Sequence, residues 1–474
     1  MAVATITLES LEGGEVADSV VVSAPNEEFL LDDIILDTEP DGLYDTRFTI
    51  RTQSGAFEPG GRIVGEEVPI REMTLPFHLT PESRRRFQRL WGTPYHLRKV
   101  RWIYDGPSGP RTLILKLAKE ILYTTEDGFD ADIDDAYHAV VTAIGVNPMY
   151  EGAEDVAEWV NPDDRFTMAI VAAGGTYSLT FGGQTTDVFS VGIVGTGGTF
   201  TLTFGGQPTT AIPYNAAPSV VEAALEALST VGVDNVSVGG TAGNYLMVFA
   251  TSDALSGSAT NLTGGGKAVN ITAGLPYNSN AATVQVALEA LSSVGPGKVA
   301  VTGTPASFLV VFDVGTNGVL TGSATNLTGL GKKITIDYAP NTGWFEVWNP
   351  TDQELWPEWA FDPAKRWQFP DFAFGRERRW NRPVGADAAR MIVTPQLTQL
   401  LSVMSDPFMD TYVNADLSNA AGLFNGVEPV YSVPPYTGTE DDPVLMPVIC
   451  QGPAGVKATL RQRRFWSAES GLEA

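Results

Sequence analysis

The side chains able to do chemistry in this 474-residue chain are scattered, and no motif gathers them. Asp130, Asp132 and Asp134 alternate like the opening of a calcium loop. Such a loop needs Gly at its sixth position and Glu at its twelfth, where Asp135 and Val141 stand. A strand with Phe129, Ala131 and Ile133 inward and the carboxylates in water is the plainer reading. The single cysteine, Cys450, excludes an intrachain disulfide, and with only His78, His96 and His138 beside it a Cys/His zinc site lacks ligands. Cys450 also closes the apolar stretch from Val444, as a core thiol would. No Gly-x-Ser-x-Gly elbow is present, and the Gly-rich stretches lack the Lys-Ser/Thr ending of a phosphate loop. Paired carboxylates for glycoside hydrolysis have no fixed spacing, and nothing singles out a pair. Asn235, Asn261, Asn270 and Asn326 stand in glycosylation sequons, which carry no meaning without a secretory route. The expectation is a protein that is not an enzyme, with no catalytic, cofactor-binding or metal-ligating residue.

Two clusters point to recognition. Trp344, Phe345, Trp348, Trp356, Trp359, Phe361, Trp367, Phe369, Phe372, Phe374 and Trp380 fall within one short stretch. Exposed Trp can stack on sugar rings, but core and interface packing is the favoured reading, because β-sandwich cores and subunit contacts use the same residues. Arg376, Arg378, Arg379 and Arg382 follow, and Arg461, Arg463 and Arg464 lie near the C-terminus. On a chain of formal charge −26 these fit complementarity with a neighbouring subunit or another acidic partner, or a solvated hairpin. That charge argues against nucleic-acid binding. No apolar run is long enough to span a bilayer, and the start, Met1-Ala2-Val3-Ala4, lacks a basic segment before an apolar one, so assembly in a cytoplasm is expected.

The elements that would position these residues change character twice. Between Phe166 and Asp337 there are four Lys and eight Asp/Glu, against 26 basic and 48 acidic residues in the flanks. A neutral block between charged flanks reads as an insertion, and it repeats internally. Gly174-Gly175-Thr176-Tyr177-Ser178-Leu179-Thr180-Phe181-Gly182-Gly183-Gln184 returns as Gly197-Gly198-Thr199-Phe200-Thr201-Leu202-Thr203-Phe204-Gly205-Gly206-Gln207, both with the two-residue period of a half-buried strand. Leu-Glu-Ala-Leu helices with faces Val221, Ala224, Leu225, Leu228 and Val284, Ala287, Leu288, Leu291 recur 63 residues apart. Strands Tyr245–Phe249 and Phe308–Phe312 follow them. The expected division is 1–165, a β-rich domain; 166–337, tandem α+β modules at about 166–274 and 275–337; and 338–474, a β-type domain. In the first flank, Val20–Val22, Phe48–Arg51, Arg71–His78, Val100–Tyr104, Leu113–Leu117 and Tyr137–Ile144 are strand candidates. One helix is capped by Thr80, begins at Pro81, presents Phe87, Leu90 and Trp91, and stops at Gly92.

Pro69-Ile70-Arg71-Glu72-Met73-Thr74-Leu75-Pro76-Phe77-His78-Leu79 with its following helix resembles the N-terminal ring domain of siphophage distal tail proteins. Phe345-Glu346-Val347-Trp348-Asn349-Pro350-Thr351-Asp352-Gln353-Glu354, Phe369-Pro370-Asp371-Phe372 and Leu460-Arg461-Gln462-Arg463-Arg464-Phe465-Trp466 resemble the same family, most closely the minor tail proteins of actinobacteriophages, the mycobacteriophage type. The resemblance implies a mainly β fold, with a ring-forming N-terminal domain and an outward, galectin-like C-terminal β-sandwich. It implies a homo-hexameric ring in the virion's tail tip, with the tail tube protein, the tape-measure protein and the central hub protein as neighbours, and no cofactor. The alternative is a carbohydrate-binding adhesin of the tail tip, whose partner is a host cell-wall glycan.

Overall fold

Two-residue alternation governs most of the chain, and the computed structural model is mainly β, with three α-helices among its described residues. Those residues are 4–25, 33–38, 40–44, 46–54, 61–124, 137–316 and 318–472; Asp130, Asp132 and Asp134 lie outside them.

The N-terminal unit is an antiparallel sheet with the strand order Glu15–Ser23, Thr5–Glu12, Lys99–Gly106, Gly109–Leu117, Tyr137–Gly145, Arg71–Leu79, Ile34–Leu36. Alternation aims Met73, Leu75, Phe77 and Leu79 into the core and leaves Glu72 and His78 outside. The expected helix is present as α1, Pro81–Trp91. Thr80 caps it by accepting from the Ser83 N–H, and the Ser83 hydroxyl accepts from the Thr80 N–H. Three consecutive arginines at Arg84, Arg85 and Arg86 give α1 little apolar character. Burial of Phe87, Leu90 and Trp91 against the sheet, worth about 1.5–3 kcal/mol each, holds it there.

The C-terminal unit is a sandwich. One sheet has the order Asp155–Val160, Lys457–Gln462, Glu358–Phe361, Leu401–Met404, Tyr412–Asn414; the other runs Asn341–Val347, Val444–Gln451, Arg366–Pro370, Met391–Val393. Phe345, Trp359, Phe361, Trp367, Phe369 and Cys450 share its core. Strand pairing therefore departs from cuts at 165 and 338. Asp155–Val160 completes the sandwich, while Phe465–Trp466 returns to pair with Tyr150–Glu151 of the N-terminal sheet. Pairing between residues some three hundred positions apart leaves no mark on local composition.

The neutral block is nested where a tandem was expected. In the outer module, Arg165–Val171 pairs with Lys333–Tyr338, and the helix is α3, Ala281–Glu289. The inner module runs from Asp187–Val194 to Ala268–Ala273, which pair with each other, and carries α2, Pro218–Glu226. It interrupts the outer module between Gln184–Thr185 and Leu275–Pro276. The spacing of the repeats records this. The Gly-Gly-Thr strands are 23 residues apart, whereas the helices are 63 apart, and a tandem would keep one interval throughout. The copies share their packing, with Phe181 stacked on Phe312 at 4.0 Å and Phe204 on Phe249 at 4.2 Å. Both helices bury the expected faces, with Ala224 only partly covered.

Candidate assembly surface

The side chains with chemical potential are structurally committed. Cys450 is fully buried, and loss of solvent pushes its thiol up to about 12, so it has no thiolate to offer near neutrality. His78 and His138 face each other across paired strands and meet the same Asp37 oxygen at 3.1 and 3.2 Å. His96 sits apart on a short hairpin. Among the described residues no group of three or more His, Cys, Asp or Glu is arranged to hold a metal ion, and no helix is long and apolar enough to cross a membrane.

Most of the aromatic stretch is sandwich core; Trp344 and Trp380 stay exposed, at 58% and 48%. Both basic clusters are engaged by carboxylates of the same chain. Arg376 and Arg379 share Glu354 at 2.7 and 2.6 Å, and Arg382 holds Asp387 at 2.7 Å. Burial pushes the Glu354 carboxyl up, but Arg379, Ser432 and Arg376 together outweigh it and hold it below the usual range. Arg461 pairs with Glu154, Arg463 lies 3.4 Å from Glu358, and Arg464 lies 3.2 Å from Asp155. These arginines brace the linker between the N-terminal sheet and the sandwich, and of the first cluster Arg378 remains turned outward. Along that linker a cleft of about 620 Å³ opens, with Arg111 over Trp466 at 3.9 Å and Arg464 over Trp348 at 4.4 Å.

The surface that the chain leaves unfinished lies on the N-terminal unit. Among the described residues Thr49–Gln53 and Arg62–Glu67 pair only with each other, and every residue in them except Gly65 is exposed. Phe48, just before the first strand, and Ile50 within it are exposed, and Ile63, Val64, Val68 and Ile70 add further exposed apolar area. A lone two-stranded hairpin is marginal in water, and its free edges and apolar faces invite another chain. Only the first strand of this arm was expected, as Phe48–Arg51. The second has just Ile63 and Val64 between charged residues, too short a run to show a period.

The root of the arm is built with care. Gly42 has φ +78°, and a Cβ there would lie 2.1 Å from the Glu72 carbonyl oxygen. The buried Arg71 guanidinium donates to the carbonyls of Gly42 (2.8 Å), Leu43 (3.2 Å), Tyr44 (2.6 Å), Pro148 (2.7 Å) and Ser467 (2.9 Å). It also stacks over Tyr150, 4.8 Å from the ring centre, while the Tyr150 hydroxyl donates to Leu43 O at 2.6 Å. Thr46 N–H donates to Ser467 O, 421 residues away in sequence. The returning C-terminus is held in turn by Arg111, which donates to the Ala468 and Gly471 carbonyls at 2.8 and 2.7 Å. Arg71 opens a strand, so its role as a hub had no sequence signal beyond an Arg at an inward position of an alternating run.

A second apolar feature of this unit is a groove of about 480 Å³ bounded by Pro94, Leu97, Leu117, Ile121 and Tyr123. Its wall is the hairpin after α1, where Gly92, at φ +85°, leaves no room for a Cβ beside the His96 carbonyl oxygen.

No protein-family model matches the sequence, and no curated protein is similar to it. Among solved structures, the chain is similar to the Dit protein of phage SPP1, described as a hub adsorption apparatus of phages infecting Gram-positive bacteria, at 13% identity and a TM-score of 0.22 over 65% of this chain and 98% of that one. It is also similar to a chain of the phage P2 baseplate in its activated conformation with calcium, at 8% identity and a TM-score of 0.30 over 97% of this chain and 98% of that one. The strontium form of that baseplate gives 9% identity and a TM-score of 0.30, with the same coverage.

Proposed function

We propose that this chain is a structural protein of a phage virion that closes into a hexameric ring at the distal end of a long, non-contractile tail. Its role is to join the tail tube to the tail-tip complex, and it is assembled in the host cytoplasm. The observation that carries the assembly reading is the arm Thr49–Gln53 and Arg62–Glu67, a strand pair anchored at its root that bears exposed Ile50, Ile63 and Val64 and, among the described residues, pairs with no other strand. A protein without disulfides gains durability by closing such surfaces on copies of itself, and heterologous contacts that close make rings. The segments resembling distal tail proteins support the tail as the setting, with the tube, tape-measure and hub proteins as neighbours. The work of such a molecule is shape, with no bond made or broken. Light scattering and negative-stain images of the purified chain test this. Six copies around a central hole are expected, and a monomer at every concentration overturns the proposal.

The exposed Trp344 and Trp380 favour a second activity compatible with the first, adhesion to a cell-wall glycan by the sandwich. Glycan binding that survives replacement of both by Ala would remove it.

A further inference from the structure

We infer that Val220 and Ala224 of α2, with Ala227 at its C-cap, form an interaction surface on which a second copy of this chain seats the sheet of its outer module. The inference goes beyond the ring reading and does not depend on it. Comparing the two modules isolates the surface. The helix residues that enter each module's own core are equally buried, Val284 and Leu288 like Val221 and Leu225. A second stripe differs. In the outer module Ala287 is buried and Thr283 and Ala290 are half-buried. Their counterparts 63 positions earlier are less covered, with Ala224 half-buried and Val220 and Ala227 exposed. Positions spaced by four and then three residues share one side of a helix. In the outer module the inner one covers that side, because Asn244–Phe249 packs against α3. This strand sends Tyr245, Met247 and Phe249 into the inner core, and Leu246 and Val248 into the outer core beside Ala287.

Both halves of this joint occur a second time. The receiving half is the stripe on α2. A module that ends a stack is ordinarily capped by a polar outer face. Here Val220, 48% exposed, stands where the covered stripe has Thr283, so the end module is the more apolar of the two. The delivering half recurs in Ser307–Phe312, the counterpart of Asn244–Phe249. It sends Phe308, Val310 and Phe312 inward and turns the half-buried Leu309 and Val311 the other way. Every residue of both faces falls within 137–316, which is described without interruption. The layers run outer sheet, α3, inner sheet, α2, so the two repeated halves sit at opposite ends of the module pair. One copy cannot join its own ends, whereas successive copies can join head to tail. Charge selects the same occupant. The inner module, residues 187–273, has one Lys against five Asp and Glu, and both flanks of the chain carry an acidic excess. The outer module, residues 165–186 and 274–338, has Arg165 and three Lys against three Asp and Glu. Of this acidic chain, the outer module is therefore the part that an inner module meets without like-charge repulsion.

Two cysteine variants of the full chain, A224C and L309C, test this with a short bis-maleimide. The native Cys450 is buried and does not react, and the wild type supplies the background. Circular dichroism checks folding. Mixed, the variants are expected to give a crosslinked pair that neither gives alone. Adding V220D to A224C is expected to lower the yield at least about tenfold by weakening the contact. Val220 is an exposed position in the first turn of α2, where Asp suits a helix, so this change leaves the module folded. No crosslinked pair from the mixture, or a yield that V220D leaves unchanged, overturns the inference. Rings without the crosslink sink it and leave the ring reading standing, and a crosslink in a chain that forms no ring does the reverse. Should L309C lose its fold, T167C, exposed and paired opposite Leu309, takes its place.

Discussion

Arg71→Met should loosen the arm without dismantling the rest of the molecule. The guanidinium holds five backbone carbonyls from three distant segments, at 2.6 to 3.2 Å, in a site only 5% exposed. Charge-assisted hydrogen bonds contribute roughly 1.5–3 kcal/mol net each, so adding them singly would exceed the stability of a typical domain. The sum is therefore not the expectation. Methionine fills much of the volume and keeps contact with Tyr150, and water can reach the carbonyls nearest the surface. Breaking one buried charged network costs about 3–5 kcal/mol, which we take as the magnitude. For a unit of this size each kcal/mol moves the midpoint by about 2–4 °C, so calorimetry should show the N-terminal transition lowered by roughly 6–20 °C with the sandwich transition in place. Hydrogen exchange should rise first at residues 42–44, 46 and 467, and ring formation should fall even below the new midpoint. An N-terminal transition within 2 °C of wild type, with unchanged exchange at those segments, would refute the assignment of Arg71 as the hub of the arm's root.

Gly343→Ala places a Cβ 2.3 Å from the Trp159 ring, between strands of the two sandwich sheets, and should cost about 1–3 kcal/mol or more through forced repacking, read as a lower urea midpoint. Burial pushes the Asp164 carboxyl above its usual range, although it accepts from Ala454 N at 2.7 Å and Gly318 N at 3.3 Å. The folded state therefore binds its proton before the unfolded state does, so wild type should gain stability relative to Asp164→Asn as pH falls from neutral towards 4; parallel curves would contradict this. Removing Asp187–Ala273 with a two-glycine bridge should leave the outer module folded but weaker by roughly 3–6 kcal/mol, since Val188 and Val248 are buried in its core. Loss of the sandwich transition in that deletion would count against the nesting.

Elements written in neighbouring residues were legible. Thr80, Pro81 and Gly92 bracketed α1, and strict alternation marked Arg71–Leu79 and the two Gly-Gly-Thr strands, because each rests on contacts within a few residues. The strand Thr5–Glu12 is equally patterned, with Ile6, Leu8 and Ser10 inward, although it is not among the expected strands. What stayed hidden depends on distant pairing. Nothing near Asp155 announces Gln462, and nothing near Thr46 announces Ser467. The basic clusters misled for the same reason. Arg461, Arg463 and Arg464 look unpaired in sequence until the fold brings Glu154, Glu358 and Asp155 beside them. The arm was half visible, since exposure on both faces removes the alternation by which strands are found.

Nesting gives the molecule an order of dependence that a row of domains would lack. Each inserted unit leaves and rejoins its host on adjacent strands, Phe166 opposite Tyr338 for the outer module and Phe189 opposite Ala273 for the inner one. A folded insertion thus spans its host's gap like a short turn. Unfolded, the inner module becomes a loop of 87 residues, and stretching a two-residue turn to that length costs the outer module about 3 kcal/mol of closure entropy. The outer module imposes no such term on the inner, whose ends are already paired to each other. Stability therefore propagates outward, from inner module to outer, from outer to sandwich, and from sandwich to the strand Phe465–Trp466 that returns the C-terminus to the arm's root. The pairing that returns the C-terminus to the arm's root thus depends on every unit threaded before it. In the ring proposed above, a copy whose sandwich had not folded would lack the Ser467 anchor that holds the arm's root.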